Sequence, residues 1–275
     1  MLIDTHAHLN FNAFKDDADK IIQQCLAADI WMINVGSQLE TSRRAVEMAK
    51  NYSEGVYAAI GLHPIHTLPT PVDVQEVSPV FRSKPEKFDA EKYKKLAQSN
   101  KVVAIGEIGL DWTYAKSKKE LQEQAFRTQL SLAQELNLPV IIHCRKAWKE
   151  TIGILKKFYS SKSKVKGLES LNGVAHFFSG SLEDAQELFK LGFFVSFTGV
   201  ITFSNAYNGV IKKIPLGKMM VETDCPYVAP FPHRGKRNQP LYVKYVAQKI
   251  AGIKETRFDR VARVTTENAR KLFRI

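Results

Sequence analysis

Several histidines and acids in this chain sit inside or at the end of otherwise apolar runs. His6 and His8 lie two apart in Leu2-Ile3-Asp4-Thr5-His6-Ala7-His8-Leu9. Glu107 follows Val102-Val103-Ala104-Ile105-Gly106, His143 follows Pro139-Val140-Ile141-Ile142, His176 follows Gly173-Val174-Ala175, and Asp224 follows Met219-Met220-Val221-Glu222-Thr223. Imidazole and carboxylate are donors for divalent cations, and two histidines at i and i+2 of one strand can grip one ion. A buried carboxylate without a partner is very costly, and a cation removes that cost. Six donors exceed a four-coordinate catalytic site with an open position. They suit two ions about 3.5–4 Å apart that share a carboxylate. Such a pair binds a phosphate and yields hydroxide at neutral pH. Asp224, binding metal through one oxygen and water through the other, is the candidate base.

The elements needed to gather these residues are legible as eight apolar runs: 2–9, 31–37, 56–64, 102–111, 139–145, 173–179, 193–200 and 219–227. Several are continuously hydrophobic, as parallel strands covered on both faces are. Amphipathic stretches lie between them, among them 18–28, 119–136 and 181–191, the last opening with the cap signal Ser181-Leu182-Glu183-Asp184. This alternation predicts one domain, residues 1–275, built as a parallel (β/α)8 barrel whose strand C-termini converge on a common mouth. On two-residue alternation Asp4 shares a face with His6 and His8, where it would orient a ligand imidazole. Glu222, two before Asp224, reads as a partner of the ligands or of a buried cation. The stretch 65–88, with Pro69, Pro71, Pro79 and Pro85, falls on the mouth as a lid or insertion, and 160–172 reads as a solvated connector on the opposite rim.

Other residues fall near the same mouth. Arg145, two beyond His143, would clamp a phosphate. His63, before Pro64, would contact substrate. Arg234, Lys236 and Arg237, after the last strand, would reach phosphates flanking the cut bond. Trp112 is either a base-stacking or a packed rim aromatic. Cys144 and Cys225 are out of phase with the ligands and should pack under the helices.

Composition is that of a globular protein: 275 residues, 44% hydrophobic and 25% charged. No apolar run reaches the roughly 20 residues of a membrane helix. Three widely separated cysteines argue for reduced thiols, and Met1 leads straight into a strand-like run, so a cytoplasmic protein without signal peptide is expected. The net charge of +12 favours a polyanionic partner. DNA as substrate is the expectation, with no membrane and no obligate protein partner.

These motifs in order, together with Gly61-Leu62-His63-Pro64, Gly106-Glu107-Ile108-Gly109-Leu110-Asp111, Arg234-Gly235-Lys236-Arg237-Asn238-Gln239-Pro240 and Asn268-Ala269-Arg270-Lys271-Leu272-Phe273, span nearly the whole chain. The chain resembles the TatD family of metal-dependent deoxyribonucleases. The resemblance implies a distorted (β/α)8 TIM barrel that cleaves phosphodiester bonds as a 3′-5′ exonuclease. It would place His6, His8 and Asp224 on a first metal, Glu107 as the bridge, and His143 and His176 on the second. Mg, Mn, Zn and Ni are not distinguished by these donors. Three departures from the family pattern bear on substrate shape: Trp112-Thr113-Tyr114 after Asp111, Lys146 after Arg145, and longer stretches at 65–88 and 160–172. The alternatives are a barrel metallohydrolase acting on a small phosphodiester, a tRNA-linked ester or an amide, and a nucleic-acid-binding protein without activity.

Overall fold

A computed structural model of the chain describes residues 1–69, 73–74, 81–115, 118–162 and 172–275, without the side chains of 73–74, 81–82, 114–115 and 159–162. Eight strands form one sheet in chain order: β1 Leu2–Ala7, β2 Ile30–Val35, β3 Val56–Ile60, β4 Val102–Asp111, β5 Val140–Arg145, β6 Gly173–Ala175, β7 Phe194–Phe197 and β8 Met219–Val221. Every neighbouring pair is parallel. The sheet curls until β1 meets β8 through the bridge Ala7–Cys225. Each strand is followed by a helix: α1 Ala18–Ala27, α2 Leu39–Lys50, α3 Ala90–Leu96, α4 Lys119–Glu135, α5 Trp148–Lys162, α6 Leu182–Lys190, α7 Asn208–Lys213 and α8 Val243–Ile253. A further helix, α9 Phe258–Phe273, completes the chain. This is the (β/α)8 barrel expected.

Two apolar cores result. The larger packs the outer faces of the strands against the helices, with Phe14, Phe126, Phe178 and Phe197 among its buried side chains. The smaller draws at least one residue from every strand (Ile3, Ile33, Ala59, Val103, Ile141, Val174, Phe194 and Met220), so it fills the inside of the barrel. Ala269, Leu272 and Phe273 of α9 join that inner cluster and form its floor. The stripe Val261, Ala262, Thr265, Ala269, Leu272 follows helical spacing and buries one whole face of α9.

The apolar runs overshoot the strands at their C-terminal ends. The run 173–179 yields a strand of only three residues, 173–175, and 219–227 yields 219–221. At the mouth, loop residues such as Phe178 and Cys225 are as buried as strand residues, so hydrophobicity does not mark where the ladder ends. The α6 signal holds: Ser181 Oγ accepts from the Asp184 N–H at 3.1 Å, and Asp184 returns the bond to the Ser181 N–H at 2.9 Å. The connector expected from residue 160 starts later, because α5 runs to Lys162, and 163–171 lie outside the described residues. Within 65–88, Pro64–Thr67 form a single 3-10 turn and Asp73–Val74 pair antiparallel with Phe81–Arg82. Residues 70–72 and 75–80 lie outside the description.

Candidate metal centre

Glu107 is the hub of the mouth. Its Oε1 lies 2.7 Å from His143 Nδ1, 2.8 Å from His176 Nε2 and 3.4 Å from His63 Nε2, while Oε2 lies 3.5 Å from His6 Nε2. Residues from β1, β4, β5 and the ends of β3 and β6 therefore meet on one carboxylate. The structure brings together His6, His8, Glu107, His143, His176 and Asp224, and adds His63 to the same cluster.

Two strands depart from regular pairing where they supply these groups. The β1–β2 register shifts between Asp4 and Ala7, and the β4–β5 register shifts between Ile105 and Ile108. Irregularities of this kind re-aim side chains at barrel rims. They also correct the expectation for Asp4. Ile3 belongs to the cluster inside the barrel. Asp4 instead accepts from the Thr223 N–H at 2.9 Å, from Thr223 Oγ1 and from the His6 N–H at 3.2 Å. The shift breaks the two-residue alternation, so Asp4 braces β1 against the end of β8 and orients no imidazole. Its burial pushes its carboxyl well above the usual carboxylate range.

Hydrogen bonds fix which nitrogens face the cluster. His8 Nδ1–H donates to the Val35 carbonyl at 2.8 Å, which leaves Nε2 with its lone pair when the ring is neutral. That lone pair lies 3.1 Å from His6 Nε2 and 3.4 Å from Asp224 Oδ1. Two nitrogens bound to one ion at about 2.0–2.1 Å stand about 2.9–3.4 Å apart, so the His6–His8 pair has the spacing of a chelate. His6 Nδ1 is buried without a partner. His63 Nδ1 accepts from the Ile65 N–H at 3.1 Å, so the proton of the neutral ring is on Nε2, facing Glu107.

Electrostatics follow from burial and from these contacts. Burial and the neighbouring His176 bring His6 down to about 4, against the pull of Glu107, and burial holds His63 well below the usual imidazole range. Burial would raise Glu107, but His63, His176 and His143 outweigh it and hold the carboxyl well below the usual range. His143 feels the same burial, yet Asp111 and Glu107 on its two nitrogens push it up to about 9. Glu107 and Glu222 likewise hold His176 well above the imidazole range despite its burial.

Among the described residues three donor groups have their atoms within 4.8 Å of one another: His6–His8–Glu107, His63–Glu107–His143, and His6–His176–Glu222. Glu107 and His6 each serve two groups. The arrangement fits divalent cations: the donors are hard oxygens and imidazoles, and they converge. Asp224 adjoins the first group, with the left-handed backbone (φ 57°) that turns the chain out of β8.

Residues not singled out in the sequence hold this cluster in place. Asp111 Oδ2 lies 3.2 Å from His143 Nε2. Its own backbone is clasped by Gln122 of α4, which accepts from the Asp111 N–H at 2.8 Å and donates to its carbonyl at 3.1 Å. Seven residues on, Gln129 makes the same clasp on Leu62, beside His63, at 2.7 and 3.0 Å. The available signal is two glutamines, seven apart, on the face of α4 that also buries Phe126, Leu130 and Ala133. Glu222, expected near the ligands, accepts from the Phe177 N–H at 2.6 Å and from Ser196 Oγ at 2.5 Å, and its Oε1 lies 3.3 Å from His176 Nδ1.

The basic residues are spread around the rim. Arg145 is half-buried, in register with Asp111. The Arg234 guanidinium covers the Phe203 ring at 3.8 Å, and Lys236 is exposed. Arg237 is engaged within the protein: it pairs with Asp17, donates to the Ala13 carbonyl and lies 4.4 Å over Phe14. Trp112 packs partly against the outer core with Lys119 Nζ 3.8 Å from its ring. Cys144 and Cys225 are buried in the outer core, as their phase predicts.

A parallel barrel with imidazoles and carboxylates crowded at its C-terminal mouth defines a metal-dependent hydrolase. The chain belongs to the TatD family: the family model described as "TatD related DNase" matches residues 3–274. It is 43% identical over 278 residues to the uncharacterized metal-dependent hydrolase YabD of Bacillus subtilis, covering all of both chains. It is 29% identical over 280 residues to the 3′-5′ ssDNA/RNA exonuclease TatD of Pantoea ananatis, covering 99% of each. The crystal structure of YJJV, a TatD homologue from Escherichia coli, superposes with a TM-score of 0.83 at 30% identity, covering 100% of this chain and 98% of that one. No helix among the described residues is long and apolar enough to cross a membrane.

Proposed function

We propose that the chain is a cytoplasmic two-metal nuclease that hydrolyses DNA phosphodiester bonds from a 3′ end. The observation that carries this reading is the placing of Glu107, which faces four imidazoles through its two oxygens. His6, His8 and Asp224 would hold a first ion and His143 and His176 a second, with Glu107 between them. Bound divalent ions would polarise the scissile phosphate and lower the pKa of water towards 7.

The chain's own groups supply the rest. Asp224 is the least buried of the proposed ligand carboxylates, at 9% exposure against 5% for Glu107, so it can take the proton of an attacking water at the open side. His63 carries its proton on Nε2, where a phosphate oxygen can accept it. Arg145 on β5, and Arg234 and Lys236 on the rim, supply positive charge for the phosphates on either side of the cut bond. Arg237, paired to Asp17, positions this loop and gives the strand little free charge. The exonuclease named among the relatives supports both substrate and polarity.

The test is a substrate panel of single- and double-stranded DNA, RNA, a phosphodiester dye, an ester and an amide, each with Mg, Mn or Zn and with chelator. The expected result is chelator-sensitive release of mononucleotides from DNA 3′ ends. Cleavage of the ester or amide with nucleic acids left intact would favour the small-substrate reading.

A further inference from the structure

We propose that Phe203, Phe231 and Arg234 form a platform on which the unpaired bases of a single-stranded nucleic acid stack beside the mouth. The inference rests on the nuclease reading and assigns the residues that would grip the bases of its substrate.

Phe231 is 61% exposed and Phe203 is 40% exposed, which makes them two of five exposed large apolar side chains among the described residues. A lone surface phenylalanine needs no explanation. These two stand on adjoining loops, after β7 and after β8, so both belong to the catalytic rim. The loops are locked together: the Phe231 N–H donates to Thr202 Oγ1 at 2.9 Å. A Cβ on Gly199 would fall 2.4 Å from the Val228 carbonyl oxygen, so the two backbones touch with no room for a side chain. The other foot of the β8 loop is nailed down by Asn238, which donates to the Thr223 carbonyl at 2.8 Å and to the Tyr227 carbonyl at 2.6 Å. The two loops are thus tied to each other and, through Asn238, to the Thr223 carbonyl beside Asp224.

Arg234 identifies the occupant. Its guanidinium carbon lies over the Phe203 ring, 3.8 Å from the centroid, and Arg234 is itself exposed. A ring backed by a guanidinium plane is a stack awaiting a third planar group, and every nucleobase offers a π-face. Neither 199–208 nor 225–240 contains an aspartate or glutamate, while Arg234 and exposed Lys236 supply cations for the phosphates attached to those bases. An acidic protein segment would satisfy the charge but leave the stack unfilled. A duplex keeps its bases inside, so the platform selects unpaired strand.

The test is equilibrium binding of a single-stranded oligonucleotide carrying 2-aminopurine near its 3′ end, over a range of salt, with the metal-loaded protein on ice and with calcium as the added ion. Phe203→Ala and Phe231→Ala should each weaken binding about 5- to 100-fold and lessen 2-aminopurine quenching, with the salt slope unchanged, because no charge is lost. Phe203→Tyr should restore binding. Arg234→Ala should both weaken binding and flatten the slope. Both phenylalanines are exposed, so folding is spared, and circular dichroism checks it. Wild-type binding that neither alanine variant alters would overturn the platform and leave the nuclease reading standing. A wild type that binds no single strand would also overturn the platform, and intact single- and double-stranded DNA in the substrate panel would overturn the nuclease reading with it. A change in oligomeric state with DNA affinity unchanged would instead assign the patch to a protein contact and overturn the platform.

Discussion

The backbone N–H of Asp224 donates to the backbone carbonyl of His6 at 2.8 Å, and the next rung is the His8 N–H to the Cys225 carbonyl at 3.0 Å. The seam that closes the barrel is therefore made by the residues proposed to hold the first ion. Their side chains can be no better placed than the seam is closed.

Asp224→Asn is the variant that isolates chemistry from this seam. Asparagine tolerates the left-handed backbone found at 224, whereas alanine would add conformational strain. With shape kept and basicity removed, kcat should fall at least about 10²-fold. Turnover and metal content are measured together. A rate within a few-fold of wild type, with metal bound, would remove Asp224 from both roles.

Glu107→Ala should abolish hydrolysis and lower bound metal, since one carboxylate faces His6, His63, His143 and His176, four of the five imidazoles at the mouth. Elemental analysis reads the metal. Full occupancy with a near-normal rate would contradict the bridging role.

Glu222→Gln tests support of the cluster from behind. The glutamate lies 3.3 Å from His176 Nδ1 while accepting from the Phe177 N–H and Ser196 Oγ. Partners of this kind are worth about 10- to 100-fold in metal affinity. Titration of metal into the variant should show that loss, with far-UV spectra unchanged. Unaltered affinity would make Glu222 a packing residue alone.

Lys236 and Arg237 should separate cleanly although they are adjacent. Lys236→Ala should flatten the log K versus log salt slope for single-stranded DNA by about 0.7. Arg237→Ala should leave the slope nearly as it was, because Asp17 already neutralises that charge. It should instead reduce protection of the 225–240 loop from hydrogen exchange. Equal slope changes in the two variants would place Arg237 on the substrate after all.

Much of this was legible beforehand because the barrel places its strand ends at one mouth, and an acid or imidazole ending an apolar run has nowhere else to go. That logic located His6, Glu107, His143, His176 and Asp224 without knowledge of any contact. It failed at Asp4, where a register shift inside β1 breaks alternation; such a shift depends on pairing with β2 and leaves no mark in β1's own residues. It also passed over Gln122 and Gln129, since a polar residue on a helix stripe reads as a flaw in the pattern until the backbone it serves is known. The Arg237–Asp17 pair is equally invisible in the sequence, because its two residues stand 220 apart.

Leu272 and Phe273 cork the barrel at the end opposite the cluster, and the space between is packed with Ile3, Val103, Ile141 and Met220. The centre is thus a cul-de-sac. Ions, water, substrate and product must all use one doorway, the rim that carries Phe203 and Arg234. A polymeric substrate could not be threaded through from end to end; it could only be presented and withdrawn.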